Sequence, residues 1–180
     1  MTVIIKNILP PLIANAAAVS FPAPDWQWWY RYPNRKLASQ DPVRIPNGCR
    51  VALDMLAAII PSPSPYAHVD MDYHGAGLHM MPEESSLAKH TDALRHPLYP
   101  WSRLASVVWF ASSPVGGELV VGEEIIETEF NTAVIFDGRE PHEVRKVING
   151  ERKTLSLFIW QVSHNPKGDD RANFSPSEYS

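Results

Sequence analysis

The chain changes texture at Tyr66. Beyond it, apolar and polar positions alternate over short runs, separated by turns rich in glycine, proline and asparagine, which is the pattern of half-buried strands. Strands are predicted over residues 77–81, 104–111, 118–121, 124–129, 133–136, 142–147 and 153–161. The 104–111 run is the strongest, rich in valine, tryptophan and phenylalanine. In the last run, alternation sets Leu155, Leu157 and Ile159 on one face and Ser156, Phe158 and Trp160 on the other. Gly116-Gly117 turns into the strand that follows, and Asn149-Gly150 reads as a hairpin turn. Short strands at this spacing predict an all-β sandwich or barrel, and a jelly roll fits.

Before Tyr66 the pattern is interrupted by proline. Ten of the 17 prolines precede Ala67, which excludes a continuous sheet or one long helix there. A short strand is predicted over 3–9 and a short helix over 11–19, with proline tolerated at its start. A second helix is predicted over 50–60, capped by Asn47, with Val51, Met55, Leu56 and Ile59 on one face. Residues 61–65 (Pro-Ser-Pro-Ser-Pro) read as a stiff connector. Trp26, Trp28, Trp29, Tyr30 and Tyr32 form an aromatic cluster. It is read as N-terminal core packed on the sheet, with a peptide-binding platform as the alternative. One domain over 1–180 is expected, with a proline-rich helical or irregular part over 1–65, a jelly-roll core over 66–164 and a polar tail over 165–180.

Composition narrows the class. The chain has 180 residues, 44% hydrophobic and 20% charged, enough for one domain with its own core. A net charge of −4 gives no general attraction for nucleic acid or an anionic membrane. Cys49 is the only cysteine, so no intrachain disulfide can form. Asn7, Pro10 and Pro11 break the N-terminal apolar stretch and leave it short for a signal peptide. A cytoplasmic location, no membrane partner and no nucleic-acid partner are therefore expected. Nothing in the sequence speaks to the oligomeric state.

The candidate chemistry lies in His90, Asp92 and His142, with Arg152 ten residues further on. Two imidazoles and one carboxylate can occupy one face of Fe(II) and leave the other positions open. Zinc accepts the same donors, so ligand type alone does not choose the metal. His68, Asp70, Asp72, His74 and His79 form a rival cluster with its own His-x-Asp. It lies 74 residues from His142 (counted from His68) and does not lead directly into a strong strand, so it reads as a polar loop or part of a substrate mouth. Arg152 heads the last strand, where a buried guanidinium can clamp a carboxylate with two hydrogen bonds. Adjacent strands would set it near the end of the strand that carries His142.

These residues resemble the prolyl 4-hydroxylase-type branch of the Fe(II)/2-oxoglutarate oxygenases. The resemblance runs over about Gly77 to Gln161. It rests on Leu87-Ala88-Lys89-His90-Thr91-Asp92, the 104–111 strand, Gly116-Gly117-Glu118-Leu119, Ala133-Val134-Ile135-Phe136, His142-Glu143-Val144, Gly150-Glu151-Arg152 and Leu157-Phe158-Ile159-Trp160, in that order. It implies a mainly β fold, a double-stranded β-helix (jelly roll) with N-terminal helices packed against it. It further implies His90, Asp92 and His142 as iron ligands, Arg152 on the distal carboxylate of 2-oxoglutarate, and ascorbate as an additional candidate cofactor. Where the family often carries a 2-oxoglutarate-binding tyrosine, this chain reads Leu78-His79-Met80-Met81. His79 is the candidate to take its place, and Trp109 is a candidate to pack on the co-substrate. Asn131 stands where a turn glycine would be common.

The resemblance implies a dioxygenase that consumes O2 and 2-oxoglutarate and hydroxylates a C–H bond, with a prolyl residue in a peptide or protein as the first expectation. The alternatives are a free amino acid or other small metabolite as substrate, a cupin-like metalloenzyme that uses no 2-oxoglutarate, and a non-catalytic β-sandwich binding module. Arg95, His96, Tyr99 and Trp101 follow the first ligands and read either as a loop over the site or as a plain connector.

Overall fold

Alternation in the second half of the chain resolves into short antiparallel strands. The structure, a computed structural model, describes residues 2–26, 28, 30–31, 37–39, 45–60, 67–70, 77–92, 95–96 and 99–162. Its strands are β1 (Val3–Lys6), β2 (Tyr30–Arg31), β3 (Leu37–Ser39), β4 (Ala67–Asp70), β5 (Gly77–Met81), β6 (Leu87–His90), β7 (Trp101–Phe110), β8 (Val115–Gly116), β9 (Leu119–Val121), β10 (Glu124–Ile126), β11 (Thr132–Phe136), β12 (His142–Val144), β13 (Val147–Asn149) and β14 (Arg152–Val162). Two helices, α1 (Pro11–Ser20) and α2 (Asn47–Ile59), precede most of them. The 61–65 connector, Trp29, Tyr32, Asp72, His74 and the tail from residue 163 onward lie outside the described residues.

The major sheet runs β1-β11-β7-β14-β5-β3-β2, with β4 also paired to β14. The minor sheet runs β10-β9-β12-β6, and β13 and β8 form a two-stranded ribbon. The two sheets make the jelly roll, with the helices on the outer face of the major sheet. Alternation along each major strand divides its residues between two cores. Leu78, Met80, Val107, Trp109, Ala133, Leu155, Leu157 and Ile159 face the helices, where they meet Ala14, Ala17, Leu53 and Leu56. Met81, Phe110, Val134 and Phe136 face inward and meet Leu119, Val121, Ile126 and Val144 of the minor sheet. The division expected for β14 is the one observed.

Three local expectations need correction. Asn47 makes no side-chain cap bond, and the helix starts at that residue, with Pro46 in the cap position. The buried face of α2 is Cys49, Ala52, Leu53 and Leu56, while Val51 and Ile59 are exposed. The small residues win that face because α1 approaches closely there. A β carbon on Gly48 would lie 2.6 Å from the Ala16 carbonyl oxygen. Cys49 Sγ sits 3.4 Å from the Ala17 carbonyl oxygen, and burial pushes its thiol up to about 11, so it packs rather than reacts. Asn149-Gly150 does not close a hairpin: β13 pairs with β8, whereas β14 crosses to the major sheet.

The aromatic cluster is core where it is described. Trp28 is buried and Trp26 packs edge-on against it at 5.3 Å between ring centroids. Among the described residues no helix is long and apolar enough to cross a membrane.

Asn131 ties the N-terminal part to the sheet. It adopts φ +59°, a left-handed conformation that asparagine tolerates better than most residues. Its Oδ1 accepts from Leu9 N–H and Trp109 Nε1–H, each at 3.1 Å, and its Nδ2 donates to the Leu9 carbonyl at 2.8 Å. Asn131→Ala strands those partners and adds left-handed strain, so unfolding free energy should fall by about 3–5 kcal/mol. Chemical denaturation measures this; a loss below about 1 kcal/mol would show that the residue is not a structural hub.

Candidate active site

The three metal-ligand candidates come from two neighbouring strands of the minor sheet. His90 ends β6 and stands in register with His142, the first residue of β12. The tight turn over 137–140 precedes His142, held by Glu140 N–H to the Asp137 carbonyl at 2.9 Å. Asp92 lies just beyond β6, where its N–H donates to the Gly138 carbonyl at 2.9 Å. The same turn thus supports a residue from each side. One ligand atom from each of His90, Asp92 and His142 falls within 4.8 Å of the others.

Backbone carbonyls set the chemical form of both histidines. His142 Nδ1 lies 2.9 Å from the Glu140 oxygen and His90 Nδ1 lies 2.8 Å from the Ala88 oxygen. A carbonyl only accepts, so each Nδ1 carries a proton and Nε2 is the nitrogen left to ligate a metal. Burial alone would push the Asp92 carboxyl up. The neighbouring His142, the Arg103 charge and the Ser106 hydroxyl outweigh it and hold the group well below the ordinary carboxylate range. The donors are therefore two imidazole nitrogens and a carboxylate, a set that fits Fe(II) with open positions.

Arg103 and Ser106 were not read from the sequence as site residues. Arg103 Nη1 is 3.0 Å from Asp92 Oδ2, and Ser106 donates its hydroxyl to the same oxygen. Three residues apart on a regular strand, their side chains would point to opposite faces. A bulge corrects this: Ala105 pairs with Ile159 and Arg103 with the very next residue, Trp160, leaving Leu104 as the extra residue in β7. The available signal was a charged and a hydroxyl residue set in an otherwise apolar run.

Arg152 lies on the inward face of β14, paired with Met81 across β5. Its strand belongs to the opposite sheet from β12, so it faces the His142 strand across the jelly roll instead of lying beside it as expected. It is 3% exposed. Its Nε donates to the Gly117 carbonyl at 2.8 Å, and its guanidinium carbon lies 5.2 Å from the Phe110 ring centroid. Gly117 has φ +74°, and a β carbon there would lie 3.1 Å from Arg152 Cδ, so both conformation and space call for glycine. Burial pushes the guanidinium down only to about 10, so it stays charged at neutral pH. Among the described residues no carboxylate pairs with it.

The two further co-substrate candidates divide. His79 is on the inward face, in register with Thr154. The Thr154 hydroxyl is buried without a hydrogen-bond partner. Trp109 is on the helix side, fully buried, with its indole N–H on Asn131, so it cannot reach the interior. The alternation that turns Phe110 inward turns Trp109 outward. Of the rival cluster, His68 and Asp70 belong to β4 on the far side of β14 from β7. After Asp92, His96 is buried, stacks on Tyr99, packs at a tilt against Trp101 and meets Trp160 edge-on, and Trp160 in turn borders Arg103.

Comparison with known proteins agrees with this geometry. Residues 76–160 match the model of the 2OG-Fe(II) oxygenase superfamily. No curated protein matches the chain. Its fold resembles a Pseudomonas putida prolyl-4-hydroxylase, with TM-score 0.58 and 18% identity over 90% of this chain and 92% of that one. It also resembles a viral collagen prolyl hydroxylase from Paramecium Bursaria Chlorella virus-1 solved with 2OG, with TM-score 0.55 and 13% identity over 90% and 96%. A Trichoplax adhaerens prolyl hydroxylase, solved with a hypoxia inducible factor peptide fragment, gives TM-score 0.57 and 15% identity over 89% and 83%. Residues 76–160 therefore match a 2OG-Fe(II) oxygenase domain, for which Fe(II) and 2-oxoglutarate are the implied cofactors, and the fold is like that of the prolyl hydroxylases.

Proposed function

We propose that the protein hydroxylates a prolyl residue in a peptide or protein, with His90, Asp92 and His142 holding Fe(II) and Arg152 holding the distal carboxylate of 2-oxoglutarate. The observation that carries the co-substrate assignment is the buried Arg152 charge, which has no carboxylate partner among the described residues. A buried cation of this kind is costly unless something anionic compensates it.

Arg152 engages Gly117 through Nε, which leaves its remaining guanidinium donors for an incoming carboxylate. The Thr154 hydroxyl, two residues along the same face, supplies a further donor, and His79 borders the same space from β5. Phe110, Met81 and the apolar residues of the minor sheet exclude water from this end. When bound, Fe(II) and 2-oxoglutarate supply the overall conversion of 2-oxoglutarate, O2 and R–H to succinate, CO2 and R–OH. The Nδ1–carbonyl bonds hold both histidines in the tautomer that can ligate. The prolyl specificity is supported by the resemblance in fold to prolyl hydroxylases, including the Trichoplax protein solved with a peptide.

Aerobic incubation with Fe(II), 2-oxoglutarate and proline-containing peptides should give succinate and a one-oxygen mass gain on proline. Succinate with a free amino acid but no peptide would overturn the peptidyl assignment. Absence of both succinate and 2-oxoglutarate binding would overturn the enzyme assignment.

Three variants separate the roles. His142→Ala should abolish stoichiometric Mn(II) binding, read by electron paramagnetic resonance. Arg152→Ala should keep the metal but weaken 2-oxoglutarate binding by roughly a hundredfold, from two charge-assisted bonds of about 1.5 kcal/mol each. Thr154→Val should cost about fivefold, one neutral bond of about 1 kcal/mol. Calorimetry on Mn(II)-loaded protein measures both, and normal 2-oxoglutarate affinity in Arg152→Ala would remove it from the site.

A further inference from the structure

The two oxygens of Asp92 have different surroundings. Oδ2 takes the Arg103 guanidinium at 3.0 Å and the Ser106 hydroxyl, whereas Oδ1 faces His142 Nε2 at 3.6 Å. The parts that make this asymmetry are themselves held. Arg103 lies over the Phe158 ring, 3.5 Å from its centroid, and 4.9 Å from the Trp160 centroid. The Arg103 side chain is 2% exposed. The Leu104 bulge brings Arg103 to the same side as Ser106. Gly138 closes the back of the arrangement. A β carbon there would lie 3.0 Å from Asp92 Cβ, 3.2 Å from Arg103 Cδ and 3.2 Å from Ser106 Oγ.

The geometry points to Arg103 as a positioning residue that, with Ser106 and Gly138, withholds one Asp92 oxygen so that only Oδ1 is offered to the metal. The inference rests on the metal-site reading above. A carboxylate free to use both oxygens would occupy an additional position on the metal. The chemistry of a facial ligand set depends on keeping those positions open for co-substrate and O2. Engaging Oδ2 with a guanidinium and a hydroxyl makes its coordination costly, because two charge-assisted hydrogen bonds would have to break. The stacked arginine plane resists the rotation that would release them.

The test uses the full chain loaded with Co(II), read by its visible absorption, and calorimetric binding of 2-oxoglutarate to the same protein. Arg103→Met keeps an unbranched chain against Phe158 but donates nothing. It should alter the Co(II) spectrum and weaken 2-oxoglutarate binding by about tenfold, the low end for loss of a residue that orients a metal ligand. Arg103→Lys, which still donates to Oδ2, should keep the wild-type spectrum. Ser106→Ala should shift the spectrum in the same direction as Arg103→Met, by less. An unchanged spectrum and affinity in Arg103→Met overturns the inference, as does an Arg103→Lys spectrum that matches Arg103→Met. Should Arg103→Met not fold, an unchanged spectrum in Ser106→Ala overturns it. Wild-type protein that binds neither Co(II) nor Mn(II) overturns the metal-site reading, and this inference with it. Normal metal loading with indifferent variants overturns this inference alone.

Discussion

The antiparallel pairing of β7 with β14 is the constraint on which the rest of the molecule depends. Paired residues share a face, so one register decides at once what meets the helices and what enters the jelly roll. Leu155 beside Trp109 and Leu157 beside Val107 form the apolar outer face. Thr154 beside Phe110, and Ser156 beside Val108, line the inner one. A shift by one residue would exchange the two faces, sending Arg152 toward the helices and Leu155 into the site. The single irregularity in this pairing, at Leu104, falls where the site needs it and brings Arg103 onto Asp92.

Two buried arginines then take opposite electrostatic roles. Arg103 is compensated by Asp92 and by the faces of Phe158 and Trp160, so its charge is spent within the protein to orient a carboxylate. Among the described residues Arg152 has no carboxylate and meets a carbonyl and the Phe110 ring. Its charge stays available, and the low-dielectric wall around it strengthens any attraction to an anion. On the function proposed above, the difference would let one interior hold a cationic metal at one end and an anionic co-substrate group at the other. Each arginine is fixed by aromatic contact, and among the described residues only one has a carboxylate.

The N-terminal part contributes indirectly. Its helices cover the outer face of the same strands whose inner face carries the site, and Asn131 joins Leu9 to Trp109 through buried hydrogen bonds. A residue that departs from a common turn glycine thereby gains a packing role glycine has no side chain to perform. Trp109 belongs to this support. It holds the back of the strand whose front faces the interior of the jelly roll.

Much was legible in the sequence because it depends on periodicity and order. Alternation marked most strands of the second half, the faces of β14 and the jelly-roll class, although the run expected over 142–147 divides into β12 and β13 in different sheets and β6 was not marked. The succession His90, Asp92, His142, Arg152 marked the metal-ligand candidates and a guanidinium at the head of the last strand. What the sequence left open depends on pairing between distant segments. The α2 face turned on how closely α1 approaches Gly48, not on which stripe is most apolar. Trp109 was drawn toward the co-substrate by its type and sent away by alternation. Arg103 and Ser106 gained their place from a bulge that only the opposing strand defines. Residue type and spacing determined which chemistry this chain can support. Tertiary structure decided which side chains share its interior, because one residue of register or one bulge reverses the direction in which a side chain points.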